Sequence, residues 1–244
     1  MEWWQFWSQS SSEAVSLILS GDAYVWSTIG VSLRVSGSAL IVSAPLAFLL
    51  AGALTFKRFP GQQALRLLVH AGMGFPAVIV GLLVLMLLTQ RGPLGQLNLL
   101  WTPEAMILAQ CVLILPLITG VALTALAAVD RALPQAGATL GAGPFRQAWL
   151  IMREAKQGLL TAALSGFGRA VSEVGAVLVV GGNIVWSDHV SYTRTLTTAI
   201  VVETRTGNFE TALALGLILF GIVLLVNALV LTLGTTHRDT PGSD

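Results

Sequence analysis

Charge is scarce in this chain. Of 244 residues, 13 are Lys or Arg and 12 are Asp or Glu, so charged side chains make up 10% against a hydrophobic share of 55%; the mean hydropathy is +0.79. A soluble domain carries about a quarter of its residues as charges, so a water-facing single domain is excluded. A net charge of +1 without a basic block also excludes nucleic acid as a partner, because neutralising phosphates needs clustered cations. The single cysteine, Cys111 in ILAQCVLIL, excludes an intrachain disulfide framework, a thiolate-rich zinc site and an iron–sulfur cluster; it reads as a small buried apolar residue. The only lysines, Lys57 and Lys156, follow Phe56 and Ala155, so the Gly-Lys-Ser/Thr end of a P-loop is missing. His70, His189 and His237 are far apart and support neither a metal site nor a catalytic triad. The expectation is an integral membrane protein with no catalytic or metal-ligating residues.

What the chain does have is long apolar runs. About 20 mainly apolar residues in a helix cross roughly 30 Å of hydrocarbon, and five stretches qualify: Tyr24 to Leu54, Leu65 to Thr89, Pro103 to Val129, Leu159 to Ile184 and Thr211 to Leu233. Residues 1–23 do not qualify. Trp3, Trp4, Phe6 and Trp7 lead only to a short apolar run, and no Lys or Arg precedes Arg34, unlike a signal peptide; this segment is expected to be a helix lying in the interface.

The short loops set the orientation. Lys57, Arg58 and Arg66 flank the first connection, Arg131, Arg146, Arg153 and Lys156 lie in the third, and Arg238 is in the tail, residues 234–244. Arg91, Arg194 and Arg205 fall on the opposite side. The richer side is cytoplasmic, which puts the N-terminus outside and the C-terminus inside. Tryptophan favours the interface, and Trp3, Trp4, Trp7, Trp26, Trp101 and Trp186 all fall at the outer edge, with Trp149 alone inside.

The third connection, 130–158, reads DRALPQAGATLGAGPFRQAWLIMREAKQG. Pro134 can begin a short helix, GAGP at Gly141 to Pro144 ends it, and an amphipathic helix follows with Phe145, Trp149 and Met152 on one face. That is a protruding knob able to dock on a partner; a loop packed on its own bundle is the other reading. QAGATLGAG resembles the Glu-Ala-Ala…Leu-Gly-Ala loop of ATP-binding-cassette (ABC) importer permeases of the type I fold. Gln135, Ala136 and Gly137 stand at the Glu-Ala-Ala positions, and Leu140, Gly141 and Ala142 match the second half, with Gly143 next. The acid of that motif is Gln135 here, and the Leu-Pro that usually follows is absent.

RAVSEVGAVLVVGGNI, Arg169 to Ile184, and TRTLTTAIVVETRTGNFETALALG, Thr193 to Gly216, closely resemble the permease subunit of tungstate-type ABC transporters, relatives of the molybdate and sulfate permeases. The resemblance runs from about Ser27 to Asn227. It implies an all-α, five-span permease of the type I ABC importer (MetI-like) fold, with residues 24–233 as its transmembrane domain. It implies a second copy of the chain, two separate ABC ATPase subunits that carry ATP and Mg, an extracytoplasmic oxyanion-binding protein, and no cofactor in this chain. The location implied is the bacterial or archaeal cytoplasmic membrane. The ATPase-coupling residues would be Gln135, Ala136, Gly137, Leu140, Gly141, Ala142 and Gly143. Tungstate is the anion expected, with molybdate or vanadate as alternatives of the same class. A secondary anion transporter is the other alternative, and it would have no need of the knob.

Ionisable residues inside spans are costly and mark function. Glu173 lies about 14 residues into the fourth span, roughly 21 Å from its inner end, and Arg34 lies roughly 12 Å below the outer end of the first. Glu173 is expected to be neutralised by Arg34 or by Arg169, one turn away, in a structural or gating role, since a carboxylate repels an anion. Thr28, Ser32 and Ser36 recur every four residues and form one stripe: either path-lining donors for a dianion or hydroxyls bonded to their own helix. Asn183, in GGNI, is a cap or an outer-gate residue. Pro76 and Pro116 are expected to kink spans two and three. In the long outer connection, Trp186 to Glu210, the segment 195–203 reads as a re-entrant or interfacial helix, and Arg194, Glu203 and Arg205 are candidates for contacting the binding protein.

Overall fold

The computed structural model describes residues 3–130, 132–187 and 190–235. Arg131, His189, His237 and Arg238 lie outside them, as does most of the tail.

The described chain is mostly helical. Helix α1 covers Trp3–Leu19, and α2, Ala23–Phe56, is 34 residues long, about 51 Å at the usual rise. Asp22 Oδ1 accepts the Val25 N–H at 3.0 Å at the start of α2, a short acidic side chain at a helix N-terminus. At its other end the Leu54 carbonyl accepts from Gln62 Nε2 at 2.7 Å and Arg66 Nη2 at 2.5 Å. A cation on the last carbonyls both satisfies them and meets the negative end of the helix dipole.

The second apolar stretch is not one helix. Helix α3, Gln62–Met73, and α4, Ala77–Leu88, are separated at Gly74–Pro76, where the chain bends by 110°. Pro76 has no N–H and disfavours helix in the residue before it, so the expected kink is a break. Helix α5, Pro103–Ala127, runs through Pro116 without interruption. The fourth stretch also breaks: α8, Lys156–Val171, and α9, Gly175–Gly181, meet at a 58° bend over Ser172–Val174. The continuous helix expected from Leu159 to Ile184 is therefore corrected, and Glu173 sits in the break. Helices α6, Ala132–Thr139, and α7, Pro144–Glu154, form the third connection, with α6 starting two residues before Pro134. Helix α10 is Leu196–Thr206 and α11 is Phe209–Thr235.

A small antiparallel hairpin, β1 at Val185–Ser187 and β2 at Val190–Ser191, lies between α9 and α10; Val185 pairs with Ser191 and Ser187 with Val190. Three helices, α2, α5 and α11, are long and apolar enough to cross a membrane, and the number rises to five if each bent pair is one span.

The chain divides into two compact units. The first comprises residues 1–39, 76–112 and 169–224. Its buried side chains include Val80 and Val84 of α4, Met106 of α5, Val177 and Val180 of α9, and a cluster of Val25, Leu196, Ala199 and Leu215. Within it α4 and α9 approach closely because Gly81 has no side chain: a Cβ there would lie 2.7 Å from Ala176 Cα. The second unit comprises residues 40–75, 113–168 and 225–244. It buries Ala47, Ala51 and Leu54 of α2, Val69 of α3, Ile114 and Ile118 of α5, and Leu159 and Ala162 of α8.

Candidate translocation and coupling sites

The break between α8 and α9 is held by Glu173. Its Oε1 accepts the N–H of Gly175 at 2.8 Å and of Ala176 at 3.3 Å, and its Oε2 lies 3.8 Å from Arg169 Nε. The side chain is buried. Backbone groups freed by the break find side-chain partners: the Glu173 carbonyl accepts from Thr197 Oγ1 at 2.8 Å, and the Ala170 carbonyl from Gln110 Nε2 at 2.9 Å. Such re-satisfaction is what makes a broken helix tolerable at membrane depth. Of the two neutralising partners expected for Glu173, Arg169 is the one present. Arg34 instead faces Glu104, in the first turn of α5, at 3.5 Å, and these two side chains are 65% and 50% exposed.

The Thr28, Ser32 and Ser36 stripe turns into the chain's own interior. All three are buried. Thr28 Oγ1 reaches the Tyr24 carbonyl and Ser191 Oγ, each at 2.8 Å. Ser32 Oγ donates to the Thr28 carbonyl at 2.9 Å and accepts the Leu196 N–H at 2.7 Å. The Thr28 and Ser32 hydroxyls thus bond their own helix and also clasp the segment 191–196 against α2. Arg34, on the other face, is the ionisable side chain that α2 exposes along its spanning length.

The outer connection is internally tied. Asn183, at φ 55° just beyond α9, accepts from Arg194 Nε at 3.2 Å. Arg194 Nη1 donates to the Tyr24 hydroxyl at 3.2 Å, and that hydroxyl donates to Glu203 Oε1 at 2.9 Å. The Arg194 guanidinium also lies 5.9 Å from the Tyr24 ring centre, and Asn208 Nδ2 donates to Glu203 Oε2 at 2.9 Å. Two of the three candidate contact residues therefore serve as struts inside the first unit, while Arg205 is exposed. Helix α10 begins with a capping box between Thr195 and Thr198; its first turn is buried, and its 11 residues span only about 16 Å. Tyr24 and Glu104 were not among the sequence candidates. Glu104 carried a signal, since it is an acid in the first turn of an apolar helix, close to Trp101.

The third connection is a hairpin of two helices with no fully buried residue in either. Gly141 turns the chain at φ 79°, a left-handed conformation suited to glycine, and the Ala142 N–H bonds back to the Gly137 carbonyl at 2.8 Å. Gln135, Ala136, Gly141 and Gly143 are exposed, Gly137 and Ala142 half-buried. Leu140 is 88% exposed and Phe145 84%. Two large apolar side chains are thus uncovered at the turn between α6 and α7, and exposed apolar groups of this kind mark interaction surfaces.

Residues 43–235 match the binding-protein-dependent transport system inner membrane component family. The chain belongs to that family. It is a membrane-embedded permease subunit of an ABC importer and not itself an enzyme. A "Probable anion ABC transporter permease protein" of Haloferax volcanii is 50% identical over 90% of this chain and 93% of that protein. The tungstate uptake system permease protein TupB of Peptoclostridium acidaminophilum is 37% identical over 90% and 94%, and the molybdenum transport system permease protein ModB of Escherichia coli K12 is 29% identical over 89% and 96%. Among solved structures, a bacterial ABC transporter for import of the acidic polysaccharide alginate matches with a TM-score of 0.68 at 19% identity, covering 91% of this chain and 83% of that one. An amino acid ABC transporter with histidines matches at 0.61 and 17% identity, covering 90% and 96%. These structural likenesses carry the type I importer permease fold.

Proposed function

We propose that the chain forms, with a second copy, the translocation path of an ATP-driven oxyanion importer, with tungstate as cargo. The observation that carries this is the 37% identity to a tungstate uptake permease over nearly the whole chain, together with the exposed Leu140 tip of a hairpin at the position of the coupling loop. Five spans, counting each broken pair as one, run from an outside N-terminus to an inside C-terminus, as the basic loops require, and α1 lies in the outer interface.

Two ABC ATPase subunits bind ATP and Mg and grip the hairpin tips, Gln135 to Gly143. Their closure swings the permease from inward-open to outward-open, and an external oxyanion-binding protein delivers the anion. Arg34 supplies positive charge on the path. Being paired with Glu104, it attracts a dianion without forming a trap too deep to leave. Glu173 keeps the broken span in shape.

In proteoliposomes holding the permease, its ATPase and the binding protein, tungstate should stimulate ATP hydrolysis and enter the vesicles. Removing Gln135 to Gly143 should release the ATPase while membrane insertion persists. A complex retained after that deletion would exclude this coupling site. Stimulation by molybdate in preference to tungstate would move the cargo to the other relatives' anion.

A further inference from the structure

We propose that the second unit carries a site for one anionic glycerophospholipid, in an apolar trough walled by the last turns of α2, by α7 and by the first turns of α8. Two adjoining cavities, of about 490 and 590 Å³, share Phe48 and Met152 as common walls. The first continues along Leu49 and Phe56 to Lys57; the second runs past Trp149 to Arg153 and Lys156. No acidic residue lines either cavity, and among the described residues no carboxylate forms an ion pair with these three cations. The inference rests on the chain crossing a membrane and not on which anion it carries.

The position favours a lipid over a soluble ligand. Helix α2 is long and apolar enough to cross a membrane, which puts Phe48 and Leu49 near the hydrocarbon and Lys57 just past the helix end, where phosphates lie. Arg153 is fixed over the Trp149 ring, 5.4 Å from its centre, an aromatic and a cation together as at membrane interfaces. Acyl chains along Phe48 and Met152 would cover this apolar surface, while the phosphate meets Lys57, Arg153 and Lys156, none of which forms an ion pair among the described residues. Basic pockets beside spanning helices hold anionic headgroups in this way. A zwitterionic lipid brings its own ammonium to the same rim and is disfavoured.

The test is native mass spectrometry of the full chain with its ATPase in mild detergent, after exchange with phosphatidylglycerol or phosphatidylcholine. Phosphatidylglycerol should be retained preferentially, and the triple variant K57Q/R153Q/K156Q should lose that preference by about tenfold, because each cation near an anionic headgroup adds to the attraction. The control R91Q/R205Q should keep it. Equal retention of the two lipids by the unaltered protein would overturn the proposal. So would a triple variant that keeps the preference but drops the ATPase, which would make the trough a protein-docking face. A second measurement needs no charge change: brominated phosphatidylglycerol should quench a tryptophan signal that disappears in W149F, and brominated phosphatidylcholine should not. Quenching identical in W149F and the unaltered chain would equally exclude the site.

Discussion

Glu173 caps the helix that its own position interrupts: its Oε1 lies 2.8 Å from the Gly175 N–H and 3.3 Å from that of Ala176. The positive end of α9 is thereby answered by a carboxylate of the chain itself, with Arg169 balancing the charge at 3.8 Å.

The first prediction separates geometry from charge. Glu173→Ala leaves the buried Ala176 N–H and the half-buried Gly175 N–H without this acceptor and should cost about 1–3 kcal/mol. Glu173→Gln keeps an acceptor oxygen but gives up the charge that favours a helix N-terminus, so it should cost about 1 kcal/mol or less. Thermal unfolding in detergent should therefore rank unaltered protein, Gln, then Ala, with uptake falling in the same order. An Ala variant as stable and active as the unaltered protein would show that the cap does not hold the break.

The second concerns Arg34 and Glu104. Both side chains are half or more exposed, and such pairs contribute about 0–1 kcal/mol, so Arg34→Gln should fold normally. With Arg34 on the path, as proposed, anion uptake should nevertheless fall once its charge is gone. The swap R34E/E104R rebuilds a pair with its charges exchanged; if uptake recovers fully in the swap, the pair acts as a strut and Arg34 does not meet the anion.

The third tests the close approach of α4 and α9. A Cβ at Gly81 would lie 2.7 Å from Ala176 Cα and 3.1 Å from its carbonyl oxygen, and backbone cannot swing aside as a side chain does. Gly81→Ala should destabilise by about 1–3 kcal/mol. Gly216→Ala, where nothing lies within 4 Å of the added carbon, should be neutral or stabilising by up to about 1 kcal/mol through helix propensity. The two variants compared by protomer yield and melting temperature give the answer; equal behaviour would mean that the helices part freely.

How far the sequence could be read depended on the kind of signal. The unbroken spans α2, α5 and α11 were legible because an apolar run of that length has few other fates. The Gly74–Pro76 break announced itself as a glycine and a proline two residues apart, though composition alone does not separate a kink from a 110° turn. The break at Glu173 gave no such sign, since Ser172, Glu173 and Val174 all occur within helices; what ends α8 is the set of side chains from α5 and α10 that receive the freed carbonyls. The four-residue spacing of Thr28, Ser32 and Ser36 fixed a common face but not which way it points, because small hydroxyl residues suit both a wet path and a tight seam. Partners 70 and more residues apart, such as Arg34 with Glu104, follow from tertiary placement that no local pattern encodes.

The fourth prediction asks what Arg194 is for. It was a candidate for contacting the binding protein, yet its guanidinium bonds Asn183 and Tyr24, and Tyr24 bonds Glu203. Tyr24→Phe removes the central hydroxyl and should cost about 1 kcal/mol. Arg194→Gln should cost less in the Tyr24→Phe background than in the unaltered chain, because groups in one hydrogen-bond network are not additive. A strut also predicts loss of stability with little direct effect on binding-protein affinity, whereas exposed Arg205→Gln should weaken that affinity and leave the melting temperature alone. If Arg194→Gln instead weakened docking at unchanged stability, the network would be incidental and the residue would belong to the docking surface.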